Sequence, residues 1–283
     1  MLFTEDYIFL AFPKTGSTFV RKVVKSSGVR MKRRHVFVPN FLRPKNLYYE
    51  QLTPSAQPPY RGQHGRRTQI NEPPSFELGA YGRQIQHWKK SRERRVIAIW
   101  RDPVERMISI FRFQHWAEWE GEKKLLAKSI APNFPDMNLT ELYQLRVSLN
   151  DVEKHIPLSQ GDTLGIGPLG WQFILFFASE SLMSELNQRW PASADEMLEM
   201  LLLDTQEIKF LDQRFLAREV AALFKDSAFD VDPVWLERKI NVTEKNRHFK
   251  SIYEITEDDR LNIRSQEAFL YAYWEKRSSQ PKH

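Results

Sequence analysis

The chain has 283 residues, 41% of them apolar, with a net charge of +6 and no cysteine. That length and apolar content suffice for a sizeable core and argue against a disordered chain. The lack of cysteine excludes disulfides, thiolate nucleophiles and thiolate metal ligands, and a cytoplasmic location is expected. No stretch approaches the roughly 20 apolar residues of a membrane span, and the first apolar run is too short for a signal peptide. The positive excess is clustered at Arg30, Lys32, Arg33 and Arg34, at Arg61, Arg66 and Arg67, and at Lys89, Lys90, Arg92, Arg94 and Arg95. Such clusters fit a nucleotide, an acidic glycan or a nucleic acid, and equally a solvated basic face.

In chain order, Tyr7 to Phe12 reads as a buried strand, a short apolar run bounded by Pro and Gly. A helix follows from Ser17, with Phe19, Val20, Val23 and Val24 on one face and Arg21, Lys22 and Lys25 on the other, closing at Ser26-Ser27-Gly28. From about residue 40 to 75 the chain is rich in Pro, Gln, Arg and Tyr without periodicity, which predicts a long irregular substrate-loop excursion. A second strand, Arg95 to Trp100, runs into a helix start in which Asp102 serves as N-cap, Pro103 takes the first helical position and Glu105 completes a capping box. Further helices are predicted at Leu139 to Ser148, Trp171 to Ala178, Met197 to Leu203 and Gln213 to Phe224, a strand at Glu207 to Leu211, and one long helix at Glu257 to Trp274. There is no repeat and no domain boundary. The expectation is one α/β domain over residues 1–283 with a central, mostly parallel sheet flanked by helices.

In such a sheet, ligands bind at the carboxyl ends of the strands, where both marked turns fall. At the first, Gly16 permits close backbone approach, the opening helix presents its positive end, and Thr15, Ser17 and Thr18 supply hydroxyls. Lys14 adds a point charge. At the second, Arg101 ends a strand, and Ser109, eight residues on, returns to the helix face of Asp102 and Glu105. A guanidinium and a hydroxyl so placed suit a phosphate monoester. Arg101 also fits an exposed ion pair with Asp102 or Glu105. Two phosphate cradles at two strand ends point to a nucleoside carrying two separate phosphates.

These strings, "PKTGST" followed by "RDPVERMIS", resemble the paired nucleotide motifs of sulfotransferases that use 3'-phosphoadenosine 5'-phosphosulfate, nearest to the carbohydrate and bacterial branch. The likeness covers roughly the first 115 residues. It implies a P-loop-like three-layer fold, with Lys14, Thr15, Gly16, Ser17 and Thr18 around the 5'-phosphosulfate and Arg101 and Ser109 on the 3'-phosphate. It also implies in-line transfer of a sulfuryl group to an acceptor hydroxyl, without a metal. Lys14 would stabilise the leaving oxygen.

Other parts of the family pattern are less closely matched. His64, in the excursion, is the first choice for the base by analogy with glycan sulfotransferases and by its titration range; Glu72, Glu77 and His35 are reserves. Phe19 stands where the cytosolic branch has a Trp, and reads either as an adenine stack or as core. The late Gly-rich motif of that branch is missing; Lys245, Arg247 and Lys250 either substitute for it or form a basic surface loop. Arg61, Arg66 and Arg67, with Glu72 and the tyrosines 48, 49 and 60, fit a glycan or small-molecule acceptor. Two other classes stay open. A P-loop kinase needs a Lys after the Gly and a magnesium-holding Asp. A noncatalytic polyanion-binding module accounts for the basic runs but not for two phosphate turns, and no nucleic-acid motif accompanies them.

Overall fold

The computed structural model describes residues 2–4, 6–10, 12, 14–27, 32–33, 95–113, 120–150, 166–189, 191–225, 234 and 254–279. The excursion expected at about residues 40–75 lies outside them. The strands are β1 (Leu2–Phe3), β2 (Tyr7–Phe9), β3 (Lys32–Arg33), β4 (Arg95–Trp100) and β5 (Ile208–Asp212). The helices are α1 (Ser17–Ser26), α2 (Pro103–Phe113), α3 (Gly121–Ile130), α4 (Leu139–Asn150), α5 (Pro168–Phe177), α6 (Glu180–Gln188), α7 (Ala194–Asp204), α8 (Leu216–Lys225), α9 (Glu257–Gln266) and α10 (Ala268–Ser279). A 3-10 turn, Gln213–Phe215, joins β5 to α8.

The strands lie in the order β3-β1-β2-β4-β5. β2, β4 and β5 run parallel, with Tyr7 opposite Arg95 and Val96 opposite Ile208. The expected parallel sheet is therefore these three strands. β1 and β3 extend it antiparallel, making the whole sheet mixed. β2 closes earlier than the apolar run does, although the Leu10 amide still donates to the Ile97 carbonyl at 2.7 Å.

Side chains alternate along each strand, and both faces of the sheet are buried. Tyr7, Phe9, Ile97, Ile99 and Leu211 meet Val20, Val23 and Val24 of α1 and Val220, Leu223 and Phe224 of α8. Ile8, Leu10, Val96, Ala98 and Trp100 meet a larger cluster from the other helices, including Met107, Tyr143, Phe173, Leu198 and Tyr273. Each such buried aliphatic side chain contributes about 1.5–3 kcal/mol. Trp100 stacks on Trp274, ring centroids 4.7 Å apart, which docks α10 on β4. Among the described residues, no helix is long and apolar enough to cross a membrane.

The single long helix expected near the end is two. α9 stops at Gln266 and α10 starts at Ala268, with Glu267 wholly buried between them. Its carboxylate accepts from Tyr143 Oη, the Leu169 amide and the Gly170 amide, each at 2.8 Å. Burying that carboxylate against another helix sets the break, and helical periodicity carries no trace of it. A Cβ on Gly167 would run into Glu267 and Tyr143, so this close approach requires glycine.

Candidate anion-binding site

The first turn sits at the carboxyl end of β2. Lys14 has φ 63° and Gly16 has φ 104°, so two left-handed residues flank Thr15. Gly16 is the N-cap of α1, and a Cβ there would lie 2.9 Å from Leu216 Cδ2. Thr15 is buried and its hydroxyl donates to the Phe12 carbonyl at 2.9 Å, which ties the turn from inside. Its side chain thus braces the turn, and the hydroxyl expected to face a ligand donates to the backbone instead. Ser17 and Thr18 are half-buried, and among the described residues no acceptor takes their amides and no partner takes their hydroxyls. Among the described residues no side chain caps α1, and its first turn has no acid. The positive end of this helix is left open.

The second turn follows β4. Asp102 caps α2 as expected, accepting the Glu105 amide at 3.1 Å. The reciprocal half of the capping box is replaced: the Glu105 carboxylate pairs with Arg260 at 2.9 Å, and Asp102 Oδ2 accepts from Tyr271 at 3.0 Å. Both acids are thereby engaged by α9 and α10, and Arg101 forms no ion pair with either among the described residues. Instead Arg101 Nη1 donates to the Lys14 carbonyl at 2.9 Å, joining the two turns across 87 residues. Its Nε is buried without a partner among the described residues.

Three cations converge here. Burial, then repulsion from Arg101, pushes the Lys14 amine down to about 8. Arg101 is itself lowered by burial and by Arg112, against the pull of Glu105 and Asp102. Lys14 Nζ lies 3.0 Å from the centroid of the Phe113 ring. Phe113 stands one helical turn beyond Ser109, so Ser109 and the Lys14 ammonium share one side of α2. The Ser109 hydroxyl makes no hydrogen bond to Arg101.

The turn is supported from below. Phe12 packs against Phe173, Phe176 and Phe177 of α5, and the Arg106 guanidinium lies 3.9 Å from the centroid of its ring. Arg106 is buried and donates to Gln172. Burial holds Arg106 well below its usual range, and burial raises Glu267 to about 7 against three hydrogen bonds and the nearby Arg106.

Lys14, Gly16, Ser17, Thr18, Arg101 and Ser109 are thus brought to one end of the sheet. Phe19 is buried in the same core cluster as Tyr7, Val20 and Phe224, which favours the core alternative of the two expected. His64, Arg61, Arg66, Arg67, Glu72, Lys245 and Arg247 lie outside the described residues. Phe113, Arg112 and the Gln213–Leu216 wall against Gly16 went unnoticed in the sequence; of these, only Phe113, four positions after Ser109, had a readable spacing. No family model, curated protein or solved structure matches the chain. The open amides, the orphaned Arg101 Nε and the cation cluster fit an ester phosphate or sulfate. No group of His, Asp or Glu among the described residues has a metal-holding arrangement.

Proposed function

We propose that this chain is a cytoplasmic sulfotransferase with a P-loop-like three-layer fold, moving a sulfuryl group from 3'-phosphoadenosine 5'-phosphosulfate to a hydroxyl of a carbohydrate or other glycoconjugate. One observation carries the reading: the Arg101 guanidinium bonded to the Lys14 carbonyl, which joins the two motifs into one basic site beside the uncapped start of α1. Gly16, Ser17 and Thr18 hold the 5' end of the nucleotide through amides and hydroxyls. Arg101 and Ser109 hold the 3'-phosphate, with Arg101 Nε free to add a charge-assisted bond. The nucleotide supplies an activated sulfuryl group, whose bond to the 5'-phosphate oxygen breaks as the acceptor oxygen bonds to sulfur. Lys14 stabilises the charge left on that phosphate oxygen, a preorganised contribution of several kcal/mol. His64 takes the acceptor proton in this scheme.

Thermal unfolding with 3',5'-adenosine bisphosphate, ATP with magnesium, or an oligonucleotide separates the classes. Selective stabilisation by the bisphosphate, about 2.7 kcal/mol at a hundred times its Kd, is expected. Stabilisation by ATP with magnesium alone would sink the proposal in favour of a kinase. Radiolabelled sulfate transfer across a panel of glycans and small hydroxyl compounds then identifies the acceptor.

A further inference from the structure

Among the described residues, none of the usual means orients Lys14. Its backbone is left-handed, its carbonyl is taken by Arg101, and the same guanidinium repels its ammonium. It forms no ion pair among the described residues. The acids nearest the second turn, Asp102 and Glu105, act on Arg101 and are bonded to Tyr271 and Arg260. Arg112 of α2 adds positive charge, and the first turn of α1 has no acid. An unanchored lysine extends into water and keeps about 2 kcal/mol of rotamer entropy. Here the side chain is instead half-buried, folded back with Nζ on the Phe113 ring.

We propose that Phe113 is a positioning residue, whose ring face holds the Lys14 ammonium on the Ser109 side of α2, so that the cation stands in place before the anion binds. This rests on the anion site proposed above. The choice of an aromatic ring has a physical logic. A ring face attracts a cation through its quadrupole. A carboxylate at this position would hold Lys14 more firmly, but it would neutralise the site and repel the ligand. A ring holds the ammonium weakly enough to yield it to a phosphate or sulfate ester. Phe113 is itself 55% exposed, while α2 is anchored by Val104, Met107, Ile108 and Phe111, so replacing it leaves the helix its buried face.

The test uses the full chain with Phe113→Ala and Phe113→Tyr. Competitive acetylation of amines with trace anhydride, read by mass spectrometry across pH, reports the titration of Lys14. Lys14 is expected to titrate near 8 in the unaltered protein and in Phe113→Tyr, and to move toward the ordinary 10.5 in Phe113→Ala. Affinity for 3',5'-adenosine bisphosphate at neutral pH is expected to fall about three- to tenfold in Phe113→Ala and to recover in Phe113→Tyr. An amine that stays at 8 in Phe113→Ala overturns the proposal. Affinities for the bisphosphate and for inorganic pyrophosphate that both ignore Phe113 overturn it too. If pyrophosphate binding depends on Phe113 and the bisphosphate fails to bind at all, the positioning role stands and the sulfotransferase reading fails.

Discussion

α1 and α5 start in the same way: each has a glycine N-cap, Gly16 or Gly167, no side-chain cap and no acid in its first turn. Their surroundings are opposite. At α5, Glu267 arrives from the far end of the chain and accepts the amides of Leu169 and Gly170, closing the helix with a buried carboxylate. At α1, the groups that arrive are Lys14 and Arg101, and among the described residues nothing takes the amides of Ser17 and Thr18. Three other helix starts carry their own caps, with Ser179, Ser193 and Thr256 accepting from the chain three residues on. A helix start left with positive neighbours is where a negative group from outside completes the electrostatics. One filled with an internal carboxylate is part of the scaffold.

The largest effect should come from emptying the closed end. Glu267→Ala removes the carboxylate near the buried Arg106 and strips the amides of α5 and the Tyr143 hydroxyl of their acceptor, at a cost of about 3–5 kcal/mol in denaturant unfolding. A loss below 1 kcal/mol would show that α5 does not depend on this acid. At the open end, Arg101→Ala should weaken bisphosphate binding by about 1.5–3 kcal/mol, roughly tenfold to a hundredfold, while leaving the melting temperature nearly unchanged. Calorimetric titration reads the difference; equal losses of stability and affinity would make Arg101 a structural tie between the turns and nothing more.

Gly16→Ala probes the turn itself. With φ 104° and Leu216 Cδ2 at 2.9 Å from the added carbon, it should cost about 1–2 kcal/mol and weaken the bisphosphate as the turn shifts. An unchanged chemical-unfolding curve would refute the strain argument. The pH dependence follows from Lys14, whose folded amine releases its proton near 8 and whose unfolded amine does so near 10.5. Protonated Lys14 therefore opposes folding, and stability from this group increases as pH rises from about 8 to 10.5. The ligand needs the ammonium, so bisphosphate affinity should drop by about tenfold per pH unit above that point. A flat affinity profile between pH 7 and 9.5 in titration calorimetry would contradict it.

The smallest expected shift in stability has the opposite sign. Ser17→Asp places an acid in the open first turn, making α1 resemble α5. It should stabilise the fold by about 0.3–1 kcal/mol and abolish bisphosphate binding, because the added carboxylate occupies the positive end of the helix. Thermal melts and titration together decide this; retained binding would place the ligand elsewhere.

Much of this arrangement was legible along the chain because its causes are local. Gly16 before an amphipathic segment, Asp102 before Pro103, and the short apolar runs at Ile8 and Val96 each act within a few residues, through backbone conformation, capping and alternation. β1 and β3, two residues each, are too short to leave a period. The break at Glu267 and the inward role of Thr15 depend on what packs against them, and no spacing records that. The amino-acid order by itself determined two turns suited to an anion, because glycine, capping and charge act locally. Only the tertiary structure decided that Arg101 grips the Lys14 carbonyl, that Lys14 rests on Phe113, and that Glu267 closes one helix while the other stays open. Those outcomes depend on residues far apart in the chain meeting in a buried environment, where charge and hydrogen bonding carry the greatest weight.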